Sequence, residues 1–207
     1  MVRGIRTFSR DKELVEERRK EIVRCASRVF IEHGYENAGM RDVARSFGKS
    51  TGSLYHYVGS KEDILFLILD MVVTNEAEFL VNIKKRTANM NPLEALTESI
   101  KTYTKELDEF SDMHIFVNHV MVLLAKPERK MMLHASQATT DFFQDLIIRG
   151  IEKGVFHTDN PKMVAWNITI IGSGWVNRLW FWRKAVSLTE YIKEQTEIIM
   201  KMLDVSN

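Results

Sequence analysis

The stretch Gly39 to Lys61, GMRDVARSFGKSTGSLYHYVGSK, concentrates side chains able to hydrogen-bond to phosphates and base edges. Met40, Val43, Ala44 and Phe47 recur at helical spacing as one apolar face, and Gly48 follows as a residue free to take positive φ and turn the chain. A second helix is predicted to start near Ser50, capped by Ser50 or Thr51, with Leu54 and Val58 pointing inward. Its outer face then holds Thr51, Gly52, Ser53, Tyr55, His56 and Tyr57. A merely solvated helix would usually carry Lys and Glu there. Small hydroxyls, a glycine and aromatic tips suit close approach to a DNA major groove, which admits one helix. Ser50, Thr51, Ser53 and His56 are the candidate base readers, and Arg41 is a candidate for phosphate or base edge. Lys61 stands in the first turn of the next helix, where the macrodipole disfavours a cation. A phosphate bound there would remove that conflict, with Tyr55 and Tyr57 hydroxyls on neighbouring phosphates. The alternative is a solvated lysine beside buried tyrosine rings.

The charge distribution supports a nucleic-acid partner, although the net charge of +1 alone does not. Residues 1 to 61 hold 13 Lys and Arg against 8 Asp and Glu, and the remainder holds 16 against 20. A basic end of +5 on a body of −4 is what phosphate binding at one end requires.

The residues from Arg18 to about Asp70 resemble the DNA-binding domain of the tetracycline repressor (TetR) family of bacterial transcription regulators. The likeness runs through Arg19-Lys20-Glu21-Ile22-Val23 with Ala26 and Phe30, then His33-Gly34-Tyr35, Arg41-Asp42-Val43-Ala44, Gly52-Ser53-Leu54-Tyr55-His56-Tyr57 and Ser60-Lys61-Glu62-Asp63. The chain departs from the family pattern at Gly39, Lys49 and Val58, where the family has Ser or Thr, an apolar residue and Phe. Gly is a tolerable N-cap, so the first departure weakens a cap by only a few tenths of a kcal/mol.

The elements that must position these residues are all helical, with no alternating strand pattern of useful length. A basic arm over residues 1–13, carrying Arg3, Arg6, Arg10 and Lys12, precedes a first helix from about Leu14 to Glu32 that ends at Gly34. Ser60 with Asp63 forms a capping box for a helix continuing through Ile64, Leu65, Ile68, Leu69 and Val72. Asn91-Pro92 and Asn160-Pro161 each pair a cap with Pro at the first helical position, and Ser187 with Glu190 opens a terminal helix. About nine helices result, with one expected to run unbroken from Pro161 to about Arg183. The fold class is all-α: a helix-turn-helix head over 14–77, its helix-turn-helix at about 40–59, then a ligand-binding and dimerisation bundle over 78–207.

The family resemblance implies a homodimer that reads a palindromic operator and is released by an apolar small molecule. It implies dimerisation through the last two helices, where Val164, Trp166, Ile170, Ile171 and Trp180 meet Ile192, Ile198, Ile199 and Met202, with Gly172 and Gly174 allowing close backbone approach. It places the effector among Tyr103, Phe110, Phe116, Phe142 and Trp175, in a zone whose methionines repack around a guest. The segment Val176-Asn177-Arg178-Leu179-Trp180-Phe181-Trp182-Arg183 resembles the ending of a subgroup that responds to acyl-coenzyme A thioesters, with Arg178 and Arg183 as candidate phosphate partners. A constitutive DNA-binding dimer or protein-interaction module without a small-molecule ligand is the alternative.

Catalytic, metal and cofactor functions find no support in the sequence. It has no HExxH, glycine-rich phosphate loop or GxSxG. His114 and His119 lie five apart, off a common helix face, and metal ligation with His134 is the weaker reading. Cys25 is the only cysteine, on the apolar side of the first helix, so no internal disulfide forms. The uncharged run Met163 to Val176 is too short and, with Asn167 and Ser173, too polar to span a bilayer. A cytoplasmic protein with no membrane partner is expected.

Overall fold

The computed structural model describes residues 12–205, which form ten helices and no strand. These are α1 (Lys12–His33), α2 (Met40–Ser46), α3 (Thr51–Tyr55), α4 (Lys61–Thr87), α5 (Pro92–Glu109), α6 (Ser111–Val120), α7 (Lys126–Glu152), α8 (Pro161–Asn177), α9 (Leu179–Ala185) and α10 (Leu188–Met202). The chain divides into two compact units, the first reaching Val73 and including Asp112–Arg129, the second made of Thr74–Ser111 and the residues from Lys130 onward. The division at Val73 and Thr74 falls within α4. The expected basic arm lies almost wholly outside the described residues; Lys12 and Glu13 belong to α1.

The first unit is built on α1, whose Ile22, Val23, Ala26 and Phe30 face inward at helical spacing. Val43 of α2, Leu54 of α3 and Val58, Ile64 and Ile68 complete a core from which water is excluded. Gly34 at φ +78° and Gly48 at φ +70° turn the chain between helices, in the left-handed region where a side chain is strained. Phe116 of α6 joins this core, its ring 5.1 Å from Phe30 and 6.0 Å from Tyr35.

In the second unit α5 packs against α8 and α10. Gly172 permits this approach, since a Cβ there would lie 2.7 Å from Tyr103 Cε1 and 2.9 Å from Leu107 Cδ1. The glycine thus serves packing within the chain. The caps Asn91, Asn160 and Ser187 accept from the amides of Glu94, Met163 and Glu190, as their sequence positions predict. The helix expected to run unbroken past Pro161 is instead interrupted at Arg178 (φ −126°, ψ 30°). The Arg178 amide bonds to Trp175 and not to Gly174, and Trp182 Nε1 donates to the Gly174 carbonyl at 3.1 Å in its place, while the Tyr191 hydroxyl donates to the Ile171 carbonyl, one turn earlier, at 2.8 Å.

Candidate nucleic-acid interface

Ser50 caps α3, its Oγ accepting from the Ser53 amide at 3.1 Å, and the two hydroxyls lie 3.0 Å apart. Leu54 and Val58 anchor the inner side. Ser50, Gly52, Tyr55 and His56 are exposed, while Thr51, Ser53 and Tyr57 are half-buried. Tyr55 is 42% exposed, far more than a large aromatic needs for packing. Arg41, Arg45 and Lys49 are exposed and flank this helix. The cap of α2 survives the glycine at 39 because the Asp42 carboxylate accepts from the Gly39 amide at 2.9 Å.

Lys61 is already engaged. Its Nζ donates to the carbonyls of Tyr35 at 2.8 Å and Glu36 at 3.2 Å, and sits 4.6 Å from the centre of the Tyr35 ring. These carbonyls offset the unfavourable dipole of the α4 start, and one of the three ammonium donors is left. Burial, followed by Glu62 and Glu36, pushes the Tyr35 hydroxyl up to about 12.

Of the residues expected to surround an effector, Tyr103, Phe142 and Trp175 are buried in the second unit. Tyr103 lies 5.6 Å from Phe79 and 5.5 Å from Phe143, and Phe142 6.2 Å from Phe79. Phe110 caps α5 and lines a groove of about 320 Å³ with Phe79, Arg86, Lys105 and Glu106. Trp175 donates to Asp108 at 2.8 Å. Phe116 belongs to the first unit, where it packs on Phe30. Arg178 is exposed at the α8–α9 break, and Arg183 is paired with Asp108 at 3.3 Å.

Burial raises Glu76 to about 7, with Glu106 adding to it, and raises Glu106 to about 7, with Glu109 and Glu78 adding. Buried atoms of Asn75, Glu76, Thr139 and Arg149 have no hydrogen-bond partner. His114 is held down to about 4 by burial, so it is neutral at physiological pH. No group of three or more potential ligands capable of holding a metal occurs among the described residues.

Residues 22–68 match the family described as bacterial regulatory proteins, tetR family, and residues 89–203 match the tetracyclin repressor-like C-terminal domain. The chain belongs to the TetR family. It is therefore a DNA-binding transcription regulator and not an enzyme. Among relatives of this TetR-family regulator is the HTH-type transcriptional regulator HbdR of Aromatoleum sp. (strain CIB), 29% identical over 193 residues, which span 92% of this chain and 82% of HbdR. A tetR-family regulatory protein from Rhodococcus RHA1 shares the fold at a TM-score of 0.78 and 19% identity, over 92% of this chain and 99% of that one. AibR, solved with isovaleryl coenzyme A and operator DNA, superposes at a TM-score of 0.72 and 19% identity, over 88% of this chain and 98% of its own. No described helix of the regulator is long and apolar enough to cross a membrane.

Two features of the TetR head were not foreseen from its sequence. Arg19, on the amphipathic first helix, reaches the end of α3 and donates to the Tyr57 carbonyl at 3.1 Å. Arg45 stands exposed beside the turn with only a long contact of 3.9 Å to Asp42. The helical spacing of Arg19 placed it at the edge of the buried face, but a partner 38 positions away leaves no local signal.

Proposed function

We propose that this regulator is a homodimeric repressor that reads a palindromic operator through α3 and is released by a mainly apolar effector with an anionic or thioester-linked head. The observation that carries the reading is the outer face of α3, where hydroxyls and aromatic tips stand exposed between Arg41, Arg45 and Lys49. Thr51, Gly52, Ser53 and His56 face base edges, with Ser50 framing the helix start. Arg41, Tyr55, Tyr57 and the remaining Lys61 donor meet phosphates.

Dimerisation is supported by an unburied stripe on α8, Met163, Trp166 and Ile170, spaced three and four apart, and by Ile198 and Met202 on α10. Ile170 is 63% exposed, whereas Ile192 and Ile199 face the chain's own core. A second copy of the same helices would cover the stripe and set two α3 helices about one DNA turn, roughly 34 Å, apart.

An effector is supported by the buried, partnerless polar atoms of Asn75, Glu76, Thr139 and Arg149, since native interiors rarely leave such groups unsatisfied. Thr139, Phe142, Leu146 and Arg149 follow one another along one face of α7 at helical spacing. Tyr103, Phe142 and Trp175 supply buried apolar surface in the same unit. The complex of AibR with isovaleryl coenzyme A supports a thioester as the first class to test. Effector and operator would oppose each other by linkage, each lowering affinity for the other by the same factor. Adding short and long acyl-coenzyme A esters to a protein–operator mobility-shift assay tests this. Release of DNA, with a thermal shift of the free protein, is expected. No release by any chain length would favour the constitutive dimer.

A further inference from the structure

We propose that Arg19 is a positioning residue for DNA reading, fixing the angle at which α3 is presented by donating its Nε–H to the Tyr57 carbonyl. The proposal rests on α3 being the reading helix.

With five residues, α3 is far shorter than a helix that holds its own shape in water, so its direction is set by what grips its ends. Its start is held locally by the Ser50 cap and its middle by buried Leu54. Beyond its last turn the amides of Tyr57 and Val58 bond back to the Leu54 carbonyl at 3.0 and 3.2 Å. Arg19 takes up the Tyr57 carbonyl at 3.1 Å with a charge-assisted hydrogen bond. The guanidinium is anchored in turn, with its side chain only 13% exposed and Nη1 3.6 Å from Glu16 on the same helix. A cation so enclosed is poorly placed to neutralise a phosphate.

The same device occurs on the other side of the helix-turn-helix. Lys61 Nζ holds the Tyr35 and Glu36 carbonyls in the connection between α1 and α2. Two cations, one from α1 and one from the start of α4, thus pin the two connections that flank α2 and α3 to rigid helices.

The donor is Nε, so glutamine is the informative replacement: its Nε2 lies the same number of bonds from the backbone and donates without charge. Lysine does the reverse, keeping the charge and putting a methylene where Nε was. Arg19→Gln, Arg19→Lys, Arg19→Met and wild type would be titrated with a DNA duplex selected by the wild-type protein from a random pool. Binding would be measured at several salt concentrations and at a temperature where circular dichroism shows every variant folded. Positioning predicts that Arg19→Gln stays within a few-fold of wild type, that Arg19→Lys and Arg19→Met each bind at least tenfold more weakly, and that the salt slopes match. Affinity that follows charge, with Arg19→Lys above Arg19→Gln and a salt slope reduced by about one in the uncharged variants, overturns it in favour of a phosphate contact. Equal affinity for all four proteins also overturns it. If Arg19→Met fails to fold, the order of the Gln and Lys variants decides alone. Thr51→Ala in the same assay separates the layers: unchanged sequence preference there removes α3 as the reader, whatever Arg19 does.

Discussion

Replacing Glu76 with Gln should stabilise the second unit at neutral pH and leave it unchanged in acid. Burial holds the Glu76 carboxyl at about 7 in the folded protein, against an ordinary 4.5. A folded-state pKa raised above the unfolded value means that the folded protein binds the proton more tightly. The cost of ionising Glu76 is therefore absent below pH about 4.5, grows as pH rises toward 7, and is complete above it. The shift corresponds to about 3 kcal/mol at 1.36 kcal/mol per unit. Gln removes that cost and sacrifices no hydrogen bond of Oε2, which has none. For a chain of this size, 3 kcal/mol is worth up to about 10 °C in melting temperature. All four tryptophans lie in the second unit, so their fluorescence reports its unfolding. Melts of wild type and Glu76→Gln between pH 4.5 and 8 should diverge progressively, with the variant higher. His114 acts with the opposite sign, destabilising the fold as pH falls below 6.5, but it is common to both proteins and cancels in the difference. A pH-independent difference, or a variant less stable than wild type at pH 8, would refute the reasoning.

Ile170→Glu with Ile198→Glu should leave the monomer folded, since both side chains are exposed in the single chain, and should abolish dimers in sedimentation at micromolar concentration. Tyr55→Ala should weaken binding to every DNA sequence alike and leave the salt slope unchanged, since a neutral hydroxyl releases no counterion, whereas Thr51→Ala should alter which sequence is preferred; fluorescence anisotropy with several duplexes across a salt series separates the two. Gly172→Ala should lower the urea midpoint, because overpacking against Tyr103 and Leu107 costs about 1–3 kcal/mol and outweighs the ~1 kcal/mol of helix propensity gained.

The parts of the fold legible in the sequence are those governed by neighbours along the chain. Ser50, Ser60, Asn91, Asn160 and Ser187 cap as expected because a cap needs only the amide three residues on. The turns at Gly34 and Gly48 are likewise local. The interruption at Arg178 was not legible, since the donor that takes up the Gly174 carbonyl there is the indole of Trp182, on the far side of the break. Nor does an isoleucine pair such as Ile198 and Ile199 announce which member faces out; the phase of α10 against α5 and α8 decides it. The outer face of α3 could be read because Leu54 and Val58 fix its phase, while Arg19 and Lys61 escaped because their carbonyl partners are long-range.

Selection of DNA by the purified full-length protein from a random-sequence pool tests the central claim most directly. A palindromic motif should be enriched, with half-sites centred about one helical turn apart, and Thr51→Ala should enrich a different half-site with the same spacing. A pool that remains random, or an identical motif from both proteins, would contradict the reading of DNA through α3.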